Sequence, residues 1–125
     1  MPPKPLVAVV AVVDDDHSIR ETTKDLLESA GLNAAAFASA RALLDSGLLP
    51  HISCLIVDMR MPEMSGLALH EHLMASRHSI PTILVTAYPD ERVRARAASA
   101  GVTACLAKPF TDIEVLGCVL AACPA

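Results

Sequence analysis

The sequence predicts an α/β domain built on a five-stranded parallel sheet, doubly wound, with helices on both faces. Three observations lead to it. Short apolar runs recur five times along the chain, and each is followed by a stretch with helical spacing of its apolar residues. Three of those runs end on charged residues, at Asp14-Asp15-Asp16, at Asp58 and at Lys108. Strands of an open sheet do this when their carboxyl ends line a functional edge. Finally, 125 residues make one domain, able to bury roughly two thirds of its unfolded surface without a staple.

The elements follow in order. Leu6–Val13 is a continuous, β-branched run, as a strand covered on both faces requires. Ser18–Ala30 sets Ile19, Leu26, Leu27 and Ala30 at helical spacing, and Gly31 closes it. Asn33–Phe37 is a short second strand, and Ser39 suits the cap of a helix through Ser46, interrupted by Gly47 and Pro50. Cys54–Val57 is the third strand and runs into Asp58. After a loop, Met59–Ser65, a helix over Gly66–Arg77 offers Leu67, Leu69, Leu73 and Met74 for packing. Gly66 itself is explained by backbone freedom at the loop–helix junction. Pro81 precedes the fourth strand, Thr82–Val85. Pro89 suits a helix start, where its missing N–H costs nothing, and that helix runs to Ala100. Thr103–Ala107 is the last strand, and Thr111 caps a final helix through Ala122. The proline-rich start, residues 1–5, reads as a flexible tail, leaving residues 6–125 as the domain.

Composition excludes several classes. The net charge of −4 argues against binding a phosphate backbone. Phe37, Tyr88 and Phe110 are the whole aromatic complement, too few to stack bases, so no direct nucleic-acid binding by this chain is expected. Arg92, Arg94 and Arg96 follow Asp90 and Glu91 and read as a solvated helix face. Cys54, Cys105, Cys118 and Cys123 form no C-x-x-C pair, and reduced thiols are favoured over disulfides. His70-Glu71-His72 is not the H-E-x-x-H zinc pattern, and His17, His51 and His78 are isolated, so surface or capping roles are expected for the histidines. The run Leu6–Val13 is too short to span a bilayer and lacks a signal-peptide cleavage site. No membrane role is expected, and the expected location is the cytoplasm.

The strand ends carry the chemistry. The first ends in Asp14-Asp15-Asp16, the third in Asp58, the fourth in Thr86-Ala87 and the fifth in Lys108-Pro109. Asp14, Asp15 and Asp58 bring three negative charges to one edge, and repulsion raises carboxylate pKa values unless cations compensate. Lys108 supplies one positive charge and Mg²⁺ would supply two. Carboxylates are the ligands Mg²⁺ takes, and Mn²⁺ is an alternative. A phosphoryl group on Asp58 could be met by the metal, by Lys108 and by the Thr86 hydroxyl, a site for transfer dominated by positioning and electrostatics.

The pieces Val12-Val13-Asp14-Asp15-Asp16, Val57-Asp58-Met59-Arg60-Met61-Pro62-Glu63-Met64-Ser65-Gly66, Val85-Thr86-Ala87 and Ala107-Lys108-Pro109-Phe110 together resemble the receiver domain of two-component response regulators. The resemblance covers about residues 6–122. It implies a flavodoxin-like, chemotaxis-regulator-like (βα)5 fold with strand order 2-1-3-4-5. It implies that Asp58 is the phospho-acceptor, and that Asp14, Asp15, Asp58 and the backbone carbonyl of Arg60 hold Mg²⁺. Thr86 then matches the switch hydroxyl, Ala87 the small residue that leaves room for the phosphoryl group, and Lys108 the phosphate-binding lysine. The Lys108–Pro109 bond is expected to be cis. The implied phosphoryl donor is a sensor histidine kinase or a histidine phosphotransfer protein. The implied output surface is the fourth helix, fifth strand and fifth helix, with Arg92, Arg96, Cys105 and Val119 as candidates, and a homodimer through it on phosphorylation is allowed.

Two features depart from or qualify the pattern. Cys105 stands where many receivers carry the Tyr or Phe that rotates inward on activation, so transmission is expected to run through the backbone of the fourth helix and fifth strand. Arg60 and Tyr88 match positions that tune phosphoryl lifetime, and slow autodephosphorylation is expected. Two other readings compete. One is a degenerate receiver that serves only as an interaction module. The other is a haloacid-dehalogenase-type phosphatase using Asp14-x-Asp16, with Ser18 a weak match and only Asp112 and Glu114 following the lysine. The stretch Val85–Glu91 is similar to receivers of the nitrogen-fixation regulator group. Both a single-domain regulator and a part of a longer one fit the sequence.

Overall fold

Five parallel strands form one sheet, in the order β2-β1-β3-β4-β5. The computed structural model describes residues 8–87 and 90–122. The expected tail over residues 1–5, Leu6 and Val7 of the first strand, Tyr88, Pro89 and Cys123 lie outside the described residues. The chain runs β1 (Val9–Val13), α1 (His17–Ser29), β2 (Asn33–Phe37), α2 (Ala40–Leu44), a 3₁₀ turn (Leu49–His51), β3 (Ile52–Asp58), α3 (Gly66–Ala75), β4 (Thr82–Thr86), α4 (Glu91–Ser99), β5 (Ala104–Ala107) and α5 (Asp112–Ala122).

Alternation along the strands builds two cores. Val10 and Val12, Cys54 and Ile56, and Ile83 and Val85 face the side that Leu27 of α1 and Val115 and Val119 of α5 cover. Ala11 and Val13, Leu55 and Val57, and Leu84 face the other side, under Leu43, Leu69, Leu73 and Ala97. Because both faces are buried, the central strands read as unbroken apolar runs.

Capping decides where the helices begin and end. Ser39, Ser65 and Asp90 each accept the backbone N–H three residues on, from Ala42, Ala68 and Val93. The α4 cap is therefore Asp90, and the helix starts at Glu91. Thr111 and Glu114 form a reciprocal capping box at α5, with N–H···O distances of 2.9 and 3.1 Å. The helix expected over Gly66–Arg77 stops at Ala75 because Arg77 takes the left-handed conformation (φ 65°) and His78 N–H closes back onto the Leu73 carbonyl at 2.8 Å. The helix after Ser39 ends at Leu44, where Ser46 bonds the Leu43 carbonyl through its hydroxyl at 2.6 Å.

Gly66 is required for space. A Cβ there would collide with the Asp58 carbonyl oxygen and stand 2.9 Å from Leu84 Cδ1. The start of α3 thus sits directly on the backbone of Asp58. Gly117, on the exposed face of α5, meets nothing. Gly66→Ala is expected to destabilise the fold by about 1–3 kcal/mol through overpacking. Gly117→Ala is expected to stabilise it by about 0.5–1 kcal/mol through helix propensity. Urea unfolding of the two variants checks both signs.

Candidate phosphoryl-acceptor and metal site

Register places the site. Val13 pairs with Val57, Asp58 with Val85, and Thr86 with Ala107. Asp14, Asp58, Thr86 and Lys108 therefore emerge side by side from four strand ends.

The three leading aspartates divide their work. Asp14 is buried, and its two oxygens accept from the Asp16 N–H at 2.9 Å and the Lys108 ammonium at 3.1 Å. Asp15 is exposed but brings a carboxylate oxygen within 4.8 Å of those of Asp14 and Asp58. Asp16 caps α1 by accepting the Ile19 N–H at 3.1 Å. The Asp14-x-Asp16 pair that a phosphatase reading needs is therefore split between the site and a helix cap.

Asp58 is 7% exposed, and Lys108 reaches its Oδ1 at 3.3 Å. Burial, then the neighbouring Asp14 carboxylate, push the Asp58 carboxyl above the ordinary carboxylate range. Lys108 and the Arg60 backbone N–H, which donates to it, pull in the other direction without cancelling this. Burial opposes the charge on Lys108, but hydrogen bonds and attraction from Asp14 and Asp58 outweigh it, so the ammonium is held above its usual pKa. One ammonium among three carboxylates leaves two negative charges. Hard oxygen donors with that excess fit Mg²⁺, and among the described residues no sulfur or imidazole joins the cluster.

Thr86 is buried beside this cluster, Ala87 is exposed, and Arg60 is exposed one turn of loop beyond Asp58. The Lys108–Pro109 peptide is cis. Cys54, Cys105 and Cys118 are free thiols, and burial raises the pKa of the last two.

Residues 10–119 match the response regulator receiver domain. The chain belongs to that family. Receiver domains are the signalling modules of response regulators, and this one is 41% identical over 115 residues to nodulation protein W of Bradyrhizobium diazoefficiens, covering 92% of this chain and 51% of that protein. The chain spans about half the length of the curated relatives it matches. The crystal structure of FixJ-N superposes with a TM-score of 0.82 at 30% identity, covering 92% of each chain. The Vibrio cholerae chemotaxis protein CheY4, at 24% identity, a TM-score of 0.85 and coverage of 93% of this chain and 98% of its own, shares the fold.

The receiver also holds features that its sequence concealed. Arg20 Nη1 donates to the Asp14 carbonyl at 2.9 Å and Nη2 to His17 Nδ1 at 3.0 Å. A charge one turn into α1 carries no signal of that tie. Val119 was an output-surface candidate, but it is 0% exposed, because positions 115 and 119 lie on the α5 face that packs on the sheet. The large apolar side chains that α5 does expose are Ile113 and Leu120. His70, expected at the surface or in a cap, is 2% exposed and bonded at both ring nitrogens.

An acid whose folded-state pKa is raised contributes stability that is complete below its unfolded value of 3.8 and is lost as pH rises through the folded one. In EDTA at neutral pH, Asp58→Asn is therefore expected to unfold a few degrees above wild type, the gain disappearing below about pH 4. Mg²⁺ is expected to raise the wild-type midpoint more than that of the variant. Calorimetry across pH, with and without Mg²⁺, reads all three effects.

Proposed function

We propose that this domain accepts a phosphoryl group on Asp58 from a phosphohistidine donor, and that Asp14, Asp15, Asp58 and the Arg60 carbonyl hold Mg²⁺ (or Mn²⁺) beside it. The observation that carries the reading is the pair of contacts from Lys108 to Asp14 and Asp58 at 3.1 and 3.3 Å, within a cluster of three carboxylates. An Asp58 carboxylate oxygen attacks phosphorus, an O–P bond forms as the N–P bond of the donor breaks, and the leaving imidazole nitrogen takes a proton from solvent. The metal, when bound, offsets charge on the transferring oxygens. Lys108 already lies 3.3 Å from an Asp58 oxygen, within reach of a phosphoryl group placed on that carboxylate. The buried Thr86 hydroxyl turns toward the same group, and exposed Ala87 leaves room for it.

A protein donor, rather than a metabolite alone, fits the surroundings. Beside Lys108 lies a cavity of about 400 Å³ whose lining includes Ile19, Leu26, Pro109 and Phe110. The donor class is a sensor histidine kinase or a histidine phosphotransfer protein. The output surface is α4-β5-α5, with exposed Arg92 and Arg96 and half-buried Cys105, and a phosphorylation-dependent homodimer through it is part of the proposal. Its only catalysis is its own phosphorylation and dephosphorylation, and its location is the cytoplasm. Among the described residues no helix is long and apolar enough to cross a membrane.

Intact mass after acetyl phosphate and Mg²⁺ is the direct test. Wild type is expected to gain one phosphoryl group, Asp58→Asn none, and wild type in EDTA very little. Labelling of the Asn variant, or no labelling of wild type, defeats the proposal, and the second result favours a pure interaction module. With Arg60 two residues past Asp58 and Tyr88 two residues past Thr86 in sequence, the phosphorylated form is expected to decay over minutes or longer. A decay complete within seconds contradicts this expectation.

A further inference from the structure

His70 has no part in the phosphoryl site, yet it is one of the few fully buried polar side chains. Its position explains why. Nδ1 lies 2.8 Å from the Thr82 hydroxyl on β4, and Nε2 lies 2.8 Å from the carbonyl of Ala100, the C-cap residue of α4. A carbonyl only accepts, so Nε2 carries the hydrogen. The Thr82 hydroxyl donates to the Ile80 carbonyl at 3.0 Å, and its oxygen faces Nδ1. One side chain on α3 thus ties the first residue of β4 to the last turn of α4.

The tie matters because so little else holds α4. Of its nine residues only Ala97 is buried and Val93 half-buried; Glu91, Arg92, Arg94, Ala95, Arg96, Ala98 and Ser99 are exposed. Its two ends also differ. The N-terminal cap, Asp90, lies four residues past Thr86, while the C-terminal end is bonded to α3, whose own start packs on the Asp58 carbonyl. We infer that His70 is the positioning residue that pins the C-terminal end of α4, so that a change at Thr86 swings the helix about Ala100 instead of shifting it as a whole. The swing would reorient Arg92, Arg94 and Arg96 without any rotating aromatic at Cys105. The swing rests on the receiver reading; the pin itself does not.

Amide hydrogen exchange on the full chain separates the two. In the resting protein, His70→Leu is expected to lose about tenfold protection across residues 97–103, with β1 and α5 unchanged. His70→Gln, whose carboxamide can both donate and accept, is expected to recover most of it. Labelling of Asp58 by acetyl phosphate is expected to be the same in all three proteins. With beryllofluoride and Mg²⁺, wild-type exchange is expected to change over residues 90–94 and hold over 98–102, whereas in His70→Leu the change spreads along the helix. Wild-type protection in His70→Leu overturns the pin. An equal change at both ends of wild-type α4, or none, overturns the swing, and only the absence of any labelling implicates the receiver reading itself. Should the Leu variant fail to fold, the imidazole nitrogen spectrum of wild type decides. A hydrogen fixed on Nε2 supports the pin, and one that averages between the two ring nitrogens refutes it.

Discussion

Lys108 sits between two carboxylates contributed by different strands, one of them 94 residues earlier in the chain. The Asp14 carboxylate adds to the cost of charging buried Asp58, and the Lys108 ammonium works against that cost. One ammonium offsets one of the three carboxylates, so with Asp15 two negative charges remain. The residual charge leaves room for a divalent ion and for the transfer of an anionic group. The sheet order follows the same constraint: β1 and β3 must be adjacent, and β5 must end at the same edge, for one side chain to touch both acids.

The site is also bound tightly to the body of the domain. Helix α3 starts on the Asp58 carbonyl with no space for a side chain at Gly66, and Thr86 is buried at the end of β4. A change at Asp58 would therefore be felt first by backbone. From there α3 leads through His70 to the end of α4, and β4 leads through Thr86 toward its beginning. The two routes meet on the helix with the fewest buried residues of its own.

Much of this was legible in the residues. Apolar runs marked all five strands, and Ser39 and Thr111 announced the helices they cap. The site was legible for a reason of topology: parallel strands deliver their carboxyl ends to one edge, so residues far apart in sequence could be placed together by reading strand ends alone. Features that depend on which way a helix faces were harder to read. Val115 and Val119 in an almost uniformly apolar α5 gave no clue to which stripe meets the sheet. His70 looked like a polar residue on a helix surface because its partners, Thr82 and the Ala100 carbonyl, are a hydroxyl and a backbone oxygen with no sequence signature. Arg77 ended α3 early by adopting a conformation that Gly usually signals.

The sparse packing of α4 has an energetic corollary. A helix secured by one buried alanine, one half-buried valine and a hydrogen bond at its cap is separated from alternative placements by a small free-energy gap. A small gap lets a modest change in local interactions shift the populations, and under the proposed phosphoryl transfer it would leave a standing minority of molecules in the active arrangement beforehand. Sensitivity and background output then have one origin, and whatever tightens α4 against the sheet lowers both together.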